Sequence, residues 1–223
     1  MSAILSRVTK VAEALAGGVA SDDLKAIAAW IELVAAWNKR MDLTAAKGDD
    51  ELVDLMVADA FTLAAYLPRE ARVVDVGTGA GAPGVPLALA RPDLGVTLVE
   101  PLQKRVSFLR TTAGGVARGA RLNVVRGKGE DLLARGERFE VAVSRATLAP
   151  RAWLALGAGL APAGEVWVLL AREEPPALTG WSLTQDLRYR WPLTGRDRRA
   201  ARFVFSASAS PTIPAPSMTP SER

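Results

Sequence analysis

The chain has 223 residues and a formal net charge of +4, and 49% of its residues are hydrophobic, which is enough to form a substantial core. It contains neither cysteine nor histidine, which excludes disulfides, thiolate metal sites, the usual zinc ligands and nucleophile pairs that depend on an imidazole. Any catalysis must therefore come from carboxylates, lysine, arginine, main-chain groups or a bound cofactor.

The N-terminal part of the sequence predicts three helices, over residues 3–16, 22–38 and 49–67, with Ser21 capping the second. Charged residues interrupt the first apolar stretch, so it does not resemble a secretory signal. No uncharged apolar run is long enough to span a membrane. We therefore expect a cytoplasmic protein without a membrane partner, in which residues 1–70 form an N-terminal helical extension.

From residue 71 onwards, apolar strand patterns alternate with helical ones. This alternation predicts an α/β fold with a Rossmann-like, doubly wound and mostly parallel sheet over residues 71–207. Strands are expected at 72–76, 95–100, 122–127, 139–146 and 165–171, helices at 84–90, 101–117 and 150–160, and two antiparallel strands near 184–191 and 202–207. The small, polar and proline-rich residues 208–223 are expected to form a disordered tail.

A glycine-rich turn, with Gly77, Gly79 and Gly81, follows the first predicted strand. Such glycines allow a ligand to approach the main chain, although a tight turn without a ligand is the alternative. The letters also fit a dinucleotide motif ending at Ala82, but that motif would bring pyrophosphate close to the carboxylate of Asp75. A ligand with an ammonium and a sulfonium group suits Asp75 better, which favours S-adenosylmethionine.

Three further strand ends carry candidate contacts. Glu100 ends the second strand, where it could accept both ribose hydroxyls or simply be solvated. The segment 127–131 follows the third strand and would border the adenine, although a plain loop fits its letters nearly as well. Arg145 ends the fourth strand, where it could contact substrate or cofactor, or form a structural salt bridge, because an unpaired buried arginine is costly.

Basic residues are concentrated near the C-terminal end of the predicted fold. Tyr189 and Trp191 are interleaved with them, and phosphate contacts combined with aromatic stacking are typical of RNA binding. Lys39 and Arg40 would extend a basic rim on the N-terminal side. The alternative is a solvated hairpin whose arginines serve solubility. The clustered arginines are Arg188, Arg190, Arg196, Arg198, Arg199 and Arg202.

Several of these segments together resemble one family. DVGTGAGAPGVPLALARPDLGVTLVE, PLQKRVSFLR, GKGED and FEVAVSRA, in that order, are similar to the bacterial 16S ribosomal RNA guanine-N7 methyltransferases, also called the glucose-inhibited division protein B family. WNKRMDLTA, at 37–45, is similar to that family's Trp-Asn…Leu-Thr segment. The resemblance covers roughly residues 24–172.

The resemblance implies an S-adenosylmethionine-dependent methyltransferase that forms 7-methylguanosine in 16S rRNA of the small ribosomal subunit. It also implies that Gly77 and Ala82 line the cofactor, that Gly129 and Glu130 flank its adenine, and that Arg145 is the catalytic residue. We further expect a monomer without a metal site. The candidate RNA contacts are Arg196, Arg198, Arg199, Lys39 and Arg40.

The sequence departs from the family at two places. The strand after Pro162 ends with Arg172 nearby, where the family usually has a lysine. Leu55 and Met56 stand where the family has an Arg-His pair, while the nearby Asp59 is kept. Two other functions therefore stay open. One is a methyltransferase for a small molecule, and the other is a non-catalytic homologue that binds RNA or cofactor.

Overall fold

The computed structural model describes residues 2–115, 117 and 120–205. The helices in this part of the chain are α1 (Ala3–Leu15), α2 (Ser21–Met41), α3 (Gly48–Ala64), α4 (Gly84–Ala90), α5 (Gln103–Gly114), α6 (Gly129–Ala134) and α7 (Pro150–Leu160). The strands are β1 (Arg72–Val76), β2 (Gly95–Glu100), β3 (Arg121–Arg126), β4 (Val141–Arg145), β5 (Glu165–Leu170), β6 (Trp181–Arg190) and β7 (Asp197–Phe205). The predicted tail, 208–223, lies outside the described residues.

The strands form one sheet in the order β3-β2-β1-β4-β5-β7-β6. The first five strands are parallel, while β7 runs antiparallel to both β5 and β6. This arrangement confirms the predicted α/β, doubly wound and mostly parallel fold. The chain reverses its direction of winding between β1 and β4, and ligands of such sheets bind at the carboxyl ends of the strands beside that switch.

The structure corrects several details of the predicted elements. Ala20 is the N-cap of α2 and makes no side-chain capping bond, so the predicted Ser21 cap is wrong. The short helix α6 was not predicted, because six residues are too few to show a helical period. The strands β6 and β7 begin earlier than predicted, at Trp181 and Asp197. In β6 a register shift between Leu183 and Gln185 interrupts the alternating pattern.

Two clusters of buried side chains pack on the sheet. The larger cluster joins the N-terminal helices to it and includes Trp30, Ile31 and Phe61, which are fully buried. The smaller cluster contains Trp153 and Leu154 of α7. The helix α3 is buried along most of its length, and its Asp59 contacts Arg145 at the end of β4. Among the described residues, no helix is both long and apolar enough to cross a membrane.

Candidate functional site

The glycine-rich turn lies at the carboxyl end of β1, next to the switch in strand order. The main-chain N–H groups of Gly77 and Thr78 both donate to the carbonyl oxygen of Val99, at 2.8 and 3.2 Å. These bonds fix the turn against the end of β2. The predicted ligand-binding turn is therefore a rigid continuation of the sheet.

Asp75 is buried beneath this turn and holds its shape. Its Oδ2 accepts hydrogen bonds from the hydroxyl of Thr78 at 2.6 Å and from the N–H of Gly84 at 2.9 Å. Its Oδ1 is buried and has no partner among the described protein atoms. Burial raises the pKa of Asp75 to about 6. A partnerless buried acceptor is a group that a cationic ligand can satisfy.

The three glycines of the turn have different roles. Gly79 has a φ of +62°, and a Cβ added there would meet nothing within 4 Å. A Cβ on Gly77 would collide with the side chain of Thr147, and one on Gly81 would lie 2.6 Å from Cγ2 of Val85. Open space for a ligand is therefore found at Gly79, whereas the other two glycines permit close packing.

Glu100 joins the turn to the end of β2. It is 2% exposed, and its Oε2 accepts from the N–H of Gly79 at 3.1 Å while Oε1 accepts from the N–H of Leu102 at 3.0 Å. Arg105 lies 4.0 Å from the same carboxylate. This geometry does not match a solvated strand end. Each carboxylate oxygen can still accept a second hydrogen bond, so the predicted contact to ribose hydroxyls remains chemically open.

Three other residues predicted to contact the cofactor are placed in different surroundings. Ala82 is 4% exposed and packs in the core. Gly129 is also buried, and a Cβ on it would lie 2.8 Å from Leu156 and 3.2 Å from Val76. Glu130 is exposed in the first turn of α6. The segment after β3 is thus a helix start packed near the end of β1, and Glu130 is its accessible side chain.

Arg145 ends β4 and forms an ion pair with α3. Its Nη1 donates to the carbonyl oxygen of Leu55 at 2.5 Å and to Oδ2 of Asp59 at 3.0 Å. The salt bridge that was the alternative for this residue is therefore present, yet the side chain remains 21% exposed. The next residue, Ala146, has a φ of +53°, which is uncommon for a residue other than glycine and frequent at functional sites.

A cavity of about 220 Å³ opens beside Arg145, between the carboxyl ends of β4 and β5. Its walls are partly apolar, but both Arg145 and Arg198 reach it. The lining residues are Leu55, Asp59, Arg145, Ala146, Leu169, Leu170, Ala171, Trp191 and Arg198.

Asp59 connects this cavity with the hairpin formed by β6 and β7. Its Oδ1 accepts hydrogen bonds from the hydroxyl of Tyr189 at 2.7 Å and from Nε1 of Trp191 at 3.3 Å. Burial and the neighbouring Asp59 raise the pKa of Tyr189 well above its usual range. No role for Asp59 was predicted from the sequence. An acidic residue inside the apolar run DLMVADAF was the available signal, because a buried carboxylate needs partners.

The three arginines predicted to bind RNA are not equivalent. Arg199 is 7% exposed and is paired with Asp186 and Glu174, each at 2.6 Å, which matches a structural role. Arg196 is paired with Glu51 at 2.6 Å but is half exposed. The guanidinium of Arg198 lies 3.8 Å from the centre of the Trp191 ring and makes no ion pair with any described residue.

A second buried acid on α3 holds the turn of the same hairpin. Asp54 accepts hydrogen bonds from the N–H groups of Leu193 and Thr194 and from the Thr194 hydroxyl. Burial raises the pKa of Asp54. Sequence reasoning missed this residue as well, since its partners lie about 140 residues away in the chain.

The exposed Lys39 and Arg40 lie in the last turn of α2, close to Asp42, whose carbonyl oxygen accepts a hydrogen bond from Arg105 of α5. With Ala36, Trp37 and Met41 they line a cavity of about 560 Å³. The loop after them is closed by two hydrogen bonds between the Asn38 amide and the main chain of Thr44. The Trp-Asn…Leu-Thr segment is thus, at Asn38 and Thr44, a loop-closing element.

Comparisons with known proteins agree on one family. The profile of the rRNA small subunit methyltransferase G family matches residues 23–174. A protein named "Ribosomal RNA small subunit methyltransferase G" from Anaeromyxobacter sp. (strain Fw109-5) is 33% identical over 198 residues, which covers 85% of this chain and 92% of that protein. A protein of the same name from Myxococcus xanthus (strain DK1622) is 33% identical, covering 75% and 82%.

Solved structures with low sequence identity share the fold. TrmN from Thermus thermophilus is 17% identical with a TM-score of 0.53, covering 75% of this chain and 53% of that one. A putative RNA methyltransferase from Pyrococcus horikoshii is 19% identical with a TM-score of 0.52, covering 79% and 98%.

Proposed function

The chain belongs to the rRNA small subunit methyltransferase G family, and from this membership we propose that it transfers a methyl group from S-adenosylmethionine to N7 of a guanosine in 16S rRNA. The observation that carries the proposal is the family match over residues 23–174, which includes the glycine turn, Glu100, Asp59 and Arg145. We infer that the protein acts as a cytoplasmic monomer on the small ribosomal subunit.

The cofactor would lie against the main chain at Gly79, where open space adjoins a turn of fixed shape. Glu100 would accept hydrogen bonds from the ribose hydroxyls, and the buried Oδ1 of Asp75 would favour a cationic group nearby. Glu130 would border the adenine. When bound, S-adenosylmethionine supplies an electrophilic methyl group on a sulfonium centre.

Guanine N7 carries a free lone pair, so no proton has to be removed before it attacks the methyl group. The residues of the site therefore act mainly by aligning N7 with the methyl group and by preventing the guanosine from binding in other orientations. Arg145, fixed at the end of β4 by Leu55 and Asp59, is the group we assign to orienting the acceptor. This chemistry needs neither histidine nor cysteine, and the chain has neither.

RNA would be held by phosphate contacts along the carboxyl edge of the sheet. We assign these contacts to Arg198, Arg196, Lys39 and Arg40, whose side chains are at least partly exposed. Arg199 is the one predicted contact that we reassign, because it is buried and paired within the hairpin. Its role is to hold the strand that presents Arg198.

The replacement of the family's Arg-His pair does not remove the support of Arg145. Leu55 holds Arg145 through its main-chain carbonyl, which any side chain at that position retains. Met56 is 3% exposed and packs in the core. We therefore keep methyl transfer as the function and do not adopt the non-catalytic alternative.

The proposal is tested by mapping 7-methylguanosine in 16S rRNA from cells with and without the protein. We expect one modified guanosine to disappear when the protein is absent and to return with the wild-type gene. Purified protein, S-adenosylmethionine and unmodified small subunits should reproduce the modification. An identical modification map in both strains, together with inactive purified protein, would contradict the proposal.

A further inference from the structure

One buried carboxylate, that of Asp59, receives donors from two separate parts of the chain. Oδ2 accepts from Arg145 at the end of β4, and Oδ1 accepts from Tyr189 and Trp191 of the hairpin. Asp59 is 3% exposed, so these donors replace the water that the carboxylate loses on folding. The residue is therefore a fixed junction between the end of β4 and the hairpin.

Both cations that line the 220 Å³ cavity depend on this junction. Arg145 is bound to Asp59 directly. Arg198 stacks on Trp191, whose ring is oriented by its hydrogen bond to Asp59. Two cations therefore line the cavity, and a single carboxylate sets the positions of both.

We propose that this cavity takes the RNA nucleotide that accepts the methyl group, and that Asp59 is the positioning residue that holds its two cations. In this proposal Arg198 contacts the phosphate, Arg145 contacts the base, and the apolar residues that line the cavity pack against the base. This inference rests on the proposed function, since it presupposes an RNA acceptor.

The critical variant is Asp59→Asn, which keeps the size of the side chain but removes its charge. Arg145 would then lose its ion pair and retain the Leu55 carbonyl alone. With all substrates saturating, we expect the single-turnover rate of methyl transfer to fall about 10- to 100-fold. The half-saturating concentration of RNA should rise as well, while the affinity for S-adenosylmethionine should not change.

Asp54→Asn provides the matched control. Asp54 is a buried acid on the same helix and binds the same hairpin, but it touches neither cation. We expect its saturated rate to stay within about threefold of wild type. A purely structural role for Asp59 would give the two variants similar rates at similar melting temperatures.

A double-mutant cycle with Arg145→Gln tests the direct contact. If Asp59 acts through Arg145, the loss in rate for the double variant should be close to that of the worse single variant. If the reductions in rate of the two single variants multiply in the double variant, the inference is overturned. A methyl-transfer rate of Asp59→Asn within about threefold of the Asp54→Asn rate would overturn it as well.

Trp191→Phe tests the second branch and decides the matter if Asp59→Asn does not fold. It removes the Nε1 donor and keeps an aromatic ring, so the half-saturating RNA concentration should rise more than the saturated rate falls. A half-saturating RNA concentration equal to that of wild type would overturn the inference.

A wild-type protein without methyl transfer to rRNA would overturn the proposed function and the inference together. An active wild type with an unaffected Asp59→Asn variant would overturn the inference alone.

Discussion

Individual residues of the glycine turn act through two different physical effects. Gly79 leaves open space, so its role is to let a ligand approach the main chain. Asp75 shapes the turn with one carboxylate oxygen and keeps the other buried and without a protein partner. The sequence predicted that both residues serve the cofactor, but it could not separate direct contact from support, because that distinction depends on which atoms are exposed.

Replacing Gly79 with Val should abolish the binding of S-adenosylmethionine. The β-branched side chain would fill the open space and disfavour the φ of +62°. Titration calorimetry with S-adenosylmethionine, its demethylated product and NAD measures the effect, and wild type should bind the first two only. Gly136→Val is the matched control, since Gly136 also has a positive φ and open space but lies after α6. Tight NAD binding by wild type, or equal losses in both variants, would contradict this assignment.

Asp75 should also make the stability of the protein depend on pH. Its pKa is about 6 in the folded protein against 3.8 as its ordinary value, so the folded state binds more protons between these two pH values. The free energy of unfolding should therefore fall as pH rises through this window, by up to about 3 kcal/mol from this group. Urea unfolding of wild type and Asp75→Asn from pH 4 to pH 7 isolates the effect. A difference between the two proteins that stays constant with pH would show that the carboxyl does not titrate in this range.

At the scale of elements, α3 connects the sheet to the hairpin. Asp54 binds the turn between β6 and β7, and Asp59 binds Tyr189, Trp191 and Arg145. The arginine-rich hairpin was expected from the sequence, but its attachment was not. Hydrophobic periodicity locates α3, whereas the partners of Asp54 and Asp59 lie 86 to 140 residues away in the chain and are set by tertiary contacts.

Two neighbouring arginines of β7 should give opposite results when each is replaced by Ala. Arg198→Ala should weaken RNA binding and lower the slope of log affinity against log salt by about one, with little change in melting temperature. Arg199→Ala should lower the melting temperature by a few degrees, because it removes the arginine paired with Asp186 and leaves Glu174 with Arg188 alone. Filter binding across a salt series and thermal unfolding measure the two effects. An unaltered salt slope for Arg198→Ala would show that Arg198 does not contact an RNA phosphate and is only a solvated surface residue.

At the scale of the whole molecule, the sequence predicted the α/β class and the doubly wound sheet. Alternating periods predict strands such as 95–100 and helices such as 150–160, which the structure gives within a residue or two. Side-chain environments could not be predicted in this way. Gly77 and Ala82 belong to the same motif as Gly79, and Gly129 belongs to the segment after β3, yet all three are packed against neighbours that only the folded chain brings near.

The acceptor atom determines how the whole reaction responds to pH. Guanine N7 attacks without losing a proton, so single-turnover methyl transfer, with both substrates saturating, should be nearly flat from pH 7 to about pH 9. Asp75, with a pKa of about 6, is already ionised over most of this range, and the arginines remain charged. Glu100→Gln should raise the dissociation constant of the cofactor with a smaller effect on the saturated rate, because Glu100 acts through binding. Quench-flow measurement of transfer to unmodified small subunits gives the rate at each pH. An ionisation between pH 7 and 9 that disappears when one carboxylate is neutralised would instead indicate a general base, and with it an exocyclic amine or hydroxyl as the acceptor.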